Sequence, residues 1–207
     1  MASETSGGLI LEKDKNIEYF SHLKQISWLG RLYKRLISST FLFFSARRFG
    51  NNMLEVGSGT GSGLLGAFPK HVVGVEINPI SVEYTRTQGL RTFLIGKNGD
   101  FPFPDCSFDV CILDNVLEHI ADPRGTLDEC WRITGENGGL VIAVPGLKGF
   151  ESDSDHKVYY GRSNLRSLDP RWNLQSFYAL PTFFLSDKLS KSMRQYCVVA
   201  VYGKRKV

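Results

Sequence analysis

The segment that most narrows the possible folds runs from Met53 to Ile77. Met53-Leu54-Glu55-Val56 reads as a short apolar strand and breaks directly into Gly57-Ser58-Gly59-Thr60-Gly61-Ser62-Gly63. A helical stretch, Leu64 to Phe68, follows, and then a second strand, Val72 to Ile77. Glycines at a strand-to-helix turn let the backbone bend and approach a ligand with no Cβ in the way. Glu76 stands nineteen residues after Gly57, at the end of the second strand. A carboxylate at about that distance accepts hydrogen bonds from ribose hydroxyls. The pair implies an adenosine-containing cofactor lying across the first two strands.

The rest of the chain repeats the alternation. Asn78-Pro79 opens a helix to about Gln88, with proline in its favoured first turn. Strands follow at Thr92–Ile95, Phe108–Leu113 and Leu140–Val144, with a short helix near Leu117 and a longer one from about Arg124 to Thr134. Gly138-Gly139 reads as a turn and Pro145-Gly146 as a stop. Asp155 to Leu168 reads as loop plus helix, and Cys197–Tyr202 as the last strand. Strands that are apolar throughout, alternating with helices, belong to a parallel sheet covered on both faces. The expected fold is therefore α/β, a Rossmann-like, doubly wound and mostly parallel sheet of about seven strands with an N-terminal helical lid. The expected domain division is 1–49, a polar leader and amphipathic helical lid, and 50–207, the cofactor-binding unit.

Between Tyr19 and Leu54 there is no acidic residue but six basic ones, Lys24, Arg31, Lys34, Arg35, Arg47 and Arg48. Ile26, Leu29, Leu32, Tyr33, Leu36 and Ile37 recur there at helical spacing. A lid over the site suits this segment best. Packing onto the sheet and contact with an anionic membrane surface are the alternatives, the membrane being least favoured. Composition is ordinary globular, with 42% hydrophobic and 22% charged residues, which excludes a disordered tail and a disulfide miniprotein. The four cysteines form no CxxC pair and read as buried reduced thiols of a cytoplasmic protein; no metal site is expected. The first eight residues lack the basic and apolar regions of a secretory leader.

The glycine register restricts the cofactor. G-x-G-x-x-G fails from Gly57, where position 62 is Ser, and from Gly59, where position 64 is Leu. It matches from Gly61 to Gly66, five residues past the strand end, and this disfavours a nicotinamide oxidoreductase. No Gly-Lys-Ser/Thr follows, so the phosphate-binding loop of nucleotide triphosphatases fails too.

What remains, E-x-G-x-G-x-G, resembles the first motif of the class I S-adenosylmethionine (SAM)-dependent methyltransferases. The resemblance covers roughly Met53 to Pro145. Val73–Pro79 is similar to the second motif, Phe101–Asp109 to the run before strand four, Asp114–Pro123 to the segment after it, and Gly135–Leu140 to the turn before strand five. The resemblance implies S-adenosyl-L-methionine as cofactor. It assigns Glu55, Gly57, Ser58, Gly59, Thr60 and Gly61 to the cofactor loop, and Glu76 with Ile77 and Asn78 to the ribose side. Asp114 and Asn115, at the end of strand four, lie where the methionine moiety passes. Where the family carries an acid for the adenine amino group, this chain has Lys97, which cannot accept a hydrogen bond. Asn98 or Asp100 takes that role, or backbone alone does.

Methyl transfer needs a base only if the acceptor must lose a proton. His119, after strand four, and His156, after strand five with Asp155 beside it, are the candidates, Asp155 being placed to orient His156. The Asp/Asn-Pro-Pro-Tyr motif of base-amino methylases is absent, and no cysteine follows a proline as cytosine C5 chemistry requires. A formal charge of +4 shows no broad basic surface, so no nucleic-acid partner is expected. The expected acceptor is a small molecule or lipid-like. The alternative is a SAM-binding module without catalysis.

Overall fold

The computed structural model describes residues 16–18, 20–21 and 34–205. A π-helical turn, Lys34–Ser38, leads into α1 (Ser39–Arg47). There follow β1 (Met53–Val56), α2 (Leu64–Ala67), β2 (Val72–Glu76), α3 (Pro79–Thr87), β3 (Thr92–Leu94) and β4 (Phe108–Asp114). After a 3₁₀ turn at Leu117–His119 come α4 (Arg124–Ile133) and β5 (Thr134–Pro145). The chain ends with α5 (Leu147–Phe150), α6 (Arg162–Arg166), β6 (Trp172–Leu180), α7 (Asp187–Ser192) and β7 (Cys197–Lys204).

The sheet has seven strands in the order β3-β2-β1-β4-β5-β7-β6. β1 through β5 are parallel, and β7 runs antiparallel to both its neighbours. Order reverses at β1, so the crevice beyond the carboxyl ends of β1 and β4 is the switch point where ligands bind in such sheets. Alternate residues of each strand face opposite layers, and both layers are apolar. Leu54, Val56, Cys111, Leu113, Leu140 and Ile142 pack with Leu127, Cys130 and Ile133 of α4. Met53, Val72, Val110, Ile112, Val141 and Ala143 pack with Leu64 and Leu65 of α2 and with Leu42, Phe43 and Ala46 of α1. Burial of each large side chain contributes about 1.5–3 kcal/mol.

Those α1 contacts revise the expected lid. Residues 39–47 cover the sheet face, which is the packing alternative for this part of the segment. Ile26, Leu29, Leu32 and Tyr33 lie outside the described residues. Two further readings change. Gly138-Gly139 lies inside β5, where a bulge between the Phe108↔Thr134 and Val110↔Gly139 pairs absorbs the extra residues. Cys111 and Cys130 are buried, but Cys106 is exposed and Cys197 only half-buried; all four are free thiols. Among the described residues, no helix is long and apolar enough to cross a membrane.

The Phe101–Asp105 run is held by α4. Arg132 donates to the carbonyls of Phe103 and Phe101 at 2.8 and 3.1 Å and to Asp105 Oδ1 at 2.8 Å. Glu129 bonds the same guanidinium twice and accepts the Phe101 amide at 2.6 Å. This pairing holds the Glu129 carboxyl below its usual range, the Arg132 hydrogen bond being the largest cause. Arg132→Met removes the hub and takes the donor from the Phe103 carbonyl, while the Phe101 carbonyl keeps the Phe103 amide at 2.7 Å. With a side chain one-third exposed, the expected loss is about 1–3 kcal/mol, a melting-temperature drop of roughly 3–10 °C by calorimetry.

Candidate functional site

The turn after β1 is built from left-handed glycines: φ is +68° at Gly57, +54° at Gly59 and +72° at Gly61. A Cβ on Gly57 would stand 2.6 Å from Val116 Cγ2, and one on Gly61 would stand 2.5 Å from Leu90 Cδ1. The amides of Gly57 and Ser58 both donate to the Val75 carbonyl, at 2.8 and 3.1 Å, which folds the loop over the end of β2. Ser58 turns its hydroxyl onto the sheet, where a Cβ on Gly74 would meet it at 2.5 Å. Its backbone, rather than its side chain, is therefore what faces the crevice. Thr60 lies half-buried in the same loop.

Glu76 is 1% exposed. Its Oε2 accepts the Gly59 amide at 2.8 Å and its Oε1 the Asn78 amide at 2.9 Å. Each oxygen keeps a second lone pair, and the carboxylate is turned toward the glycine loop. Beside it Ile77, at 70% exposure, presents an uncovered aliphatic face. Asn78 caps α3, its Oδ1 accepting from Ile80 and Ser81 at 2.9 and 3.2 Å, while its Nδ2 donates to the Asn16 carbonyl at 2.8 Å. Asn98 and Asp100 are exposed on a turn tied by the Gly96 amide to the Asp100 carbonyl at 2.9 Å.

Glu55 is placed differently from the expected cofactor contact. It shares the Met53 side of the strand and accepts the Leu64 and Leu65 amides at 3.2 and 2.7 Å, capping α2. A four-residue helix leaves amides that need such an acceptor. Asp114 ends β4, buried, its Oδ1 accepting from Asn115 Nδ2 at 2.7 Å. Asn115, at φ +55°, adopts the left-handed conformation that asparagine tolerates.

A methyltransferase-domain family model matches residues 54–142 of the chain. Residues 54–142 are a class I S-adenosylmethionine-dependent methyltransferase domain. A probable S-adenosylmethionine-dependent methyltransferase of Mycolicibacterium smegmatis is 28% identical over 109 residues, 51% of this chain and 42% of that protein. A demethylmenaquinone methyltransferase of Tropheryma whipplei is 32% identical over 98 residues, 45% of this chain and 41% of that protein. The chain thus spans well under two thirds of the length of these relatives. A SAM-dependent methyltransferase of Aquifex aeolicus superposes with a TM-score of 0.63 at 16% identity, over 90% of this chain and 98% of that one, a likeness of fold.

The crevice of the methyltransferase domain fits its cofactor, SAM. The three left-handed glycines leave the room that side chains would fill, the Glu76 carboxylate faces the loop, and Ile77 offers an apolar surface of the kind an adenine face covers. Burial pushes the Glu76 pKa up, and the amides of Asn78, Gly59 and Ile77 draw it partly back. A carboxyl raised in this way stabilises the fold most below its unfolded pKa and loses that contribution as pH rises through the raised value. Ribose hydroxyls donate to the ionised form. S-adenosylhomocysteine (SAH) affinity is therefore expected to rise with pH up to the raised pKa, by up to about tenfold per unit, and then to level. Calorimetry at a series of pH values checks this; a flat profile contradicts it.

Beyond the end of β4, the amides of Lys157 and Val158 donate to the Glu118 carbonyl at 2.7 and 3.1 Å, which lashes the segment after β5 to the 3₁₀ turn after β4. That brings His119 and His156 into edge-to-face contact, their ring centroids 4.7 Å apart. Asp155 pairs with His119 and not with its sequence neighbour, at 3.1 Å between Oδ2 and Nδ1. His156 bonds the Phe150 carbonyl and stacks on the Phe150 ring. The His156 side chain is 8% exposed and that of His119 30%. Burial and then the neighbouring His156 hold the His119 pKa below its ordinary value, against the pull of Asp155. The sequence reading missed Glu118, which is fully buried beside both rings, and Asp153. The only signal for Glu118 was an acid directly before His119 in a turn expected at the carboxyl edge.

Proposed function

We propose that the chain transfers the methyl group of SAM to a small-molecule or lipid-like acceptor seated over the carboxyl ends of β4 and β5, by in-line displacement. The observation that carries this is the left-handed glycine loop facing the Glu76 carboxylate, with the His119–His156 cluster at the neighbouring strand end. Residues 50–207 form the unit to which we assign the reaction. Glu76 holds the ribose hydroxyls, the backbone from Gly57 to Gly61 lines the cofactor, and Ile77 covers the adenine face. Asn98 or Asp100 meets the adenine edge, and Asp114 with Asn115 orients the methionine end. SAM supplies a methyl group already activated on its sulfonium, so the protein's main task is alignment, which contributes roughly 7–11 kcal/mol in well-oriented cases.

A cavity of about 680 Å³ beside Tyr159 is lined by Arg162, Arg166, Ser163, Ser186 and Tyr196. Tyr159 meets Phe150, which stacks on His156, so the cavity adjoins the histidine cluster. Asp187 also lines the cavity and pairs with Arg162 at 3.2 Å, so Arg166 is the guanidinium that favours an acceptor with a negative or strongly electron-rich group. The demethylmenaquinone methyltransferase among the relatives supports including quinones among the acceptors tried.

The test is incubation with SAM labelled on the methyl group and a panel of quinones, phenols and carboxylic acids. Label transferred to one class establishes the reading. SAH binding with no transfer to any member favours the module without catalysis.

A further inference from the structure

Three side chains outside the cofactor crevice converge beyond the end of β4. A ring nitrogen of His119, one of His156 and a carboxylate oxygen of Glu118 all lie within 4.8 Å of one another. The hydrogen bonds of the two rings decide which nitrogens are left for a ligand. His156 Nδ1 is 2.8 Å from the Phe150 carbonyl oxygen. A carbonyl only accepts, so Nδ1 carries the proton, and the neutral ring has its lone pair on Nε2. That Nε2 faces Glu118 Oε1 at 3.8 Å and Asp153 Oδ2 at 4.0 Å. His119 repeats the arrangement: Asp155 takes its Nδ1, leaving Nε2 as donor, and a carboxylate behind an imidazole is the usual device for orienting a metal-bound histidine.

The geometry points to a divalent transition-metal site formed by Glu118, His119 and His156. Bonds of about 2.0–2.2 Å put two donors of one tetrahedral ion roughly 3.4 Å apart, so the 3.8 Å gap between His156 and Glu118 closes with a shift of a few tenths of an ångström. Two imidazoles and one carboxylate select Zn²⁺, Mn²⁺ or Fe²⁺ over Mg²⁺ and Ca²⁺, which prefer all-oxygen shells. The Lys157 and Val158 amides on the Glu118 carbonyl fix the two backbone segments that supply the ligands. None of these residues is in a Cys/His spacing that sequence reading recognises; the cluster forms only when the two segments meet. Its role, which rests on the methyl-transfer reading, is to hold an acceptor oxygen at an open coordination position.

The test uses the full chain carrying Cys106→Ser, which removes the exposed thiol as a rival zinc ligand, after dialysis against a chelator and without cofactor. Titration with Zn²⁺ and Co²⁺ is expected to give one saturable equivalent, with visible d–d bands for Co²⁺, at least about 100-fold tighter than Mg²⁺. His119→Ala, on the more exposed ring, is expected to weaken binding at least about tenfold while the circular dichroism melt stays cooperative. His156→Ala is expected to weaken it further; if that variant does not fold, His119→Ala alone decides. No saturable binding by the folded parent, or an unchanged affinity in His119→Ala, overturns the site. SAH calorimetry on the same sample keeps the two readings apart. SAH bound without metal overturns this site alone, and metal bound without SAH supports it while contradicting the cofactor reading.

Discussion

Gly57→Ala is expected to lower the stability of the domain by about 2–5 kcal/mol. Two terms add. A left-handed backbone costs an L-residue roughly 1–2 kcal/mol, and φ at Gly57 is +68°. The new methyl would stand 2.6 Å from Val116 Cγ2, and forcing a methyl into filled space costs about 1–3 kcal/mol more. For a domain of this size that is a fall in melting temperature of roughly 4–20 °C. Val116→Ala in the same chain takes away the clash but not the strain, so the double variant should recover part of the loss. Scanning calorimetry of the two single variants and the double checks this. A Gly57→Ala chain that melts with the parent, or a double variant that loses the full sum, contradicts the loop geometry.

Glu76→Ala is expected to weaken SAH binding by about 1–3 kcal/mol, roughly 5- to 150-fold, through loss of the charged acceptor for the ribose hydroxyls. The same carboxylate receives the Gly59 and Asn78 amides, so its removal also slackens the loop that lines the cofactor. Glu76→Gln keeps one acceptor oxygen and the side-chain volume, but sets an NH₂ against a backbone amide. It should bind SAH better than the alanine variant and worse than the parent, and its affinity should no longer rise with pH as the parent's does. Equal dissociation constants in all three proteins would place the ribose elsewhere.

The parts of this site that were legible in the sequence are local. The glycines after Val56, the proline at the start of α3 and the carboxylate at the end of β2 each act within a few residues of themselves, and β1, β2, β4 and the second half of β5 read as strands because both faces are buried. β6 was not legible. Its register slips between Leu174 and Ser176, so the alternation of Trp172 and Leu174 changes phase before Phe177. Gly138-Gly139 has the composition of a turn. Both glycines sit in β5 because Phe49 lies against Gly139, and Thr134 and the Asp109 carbonyl against Gly138, where a Cβ would stand. The two histidines were named from the sequence, but their partners were not. Asp155 is adjacent to His156 in sequence, yet the crossing of two segments hands it to His119. Glu55 was assigned to the cofactor on motif alone, and strand parity sends it to α2 instead.

The central claim is that the turn after β1 and the acid closing β2 grip one adenosyl group. The most direct measurement is a crystal structure of the protein soaked with SAH. The expected result is density for the adenosyl group beneath Gly57–Gly61, with both ribose hydroxyls within hydrogen-bond reach of the Glu76 carboxylate and the adenine against Ile77. Density for SAH at any other place, or a crevice that stays closed around Glu76 at saturating ligand, would contradict it.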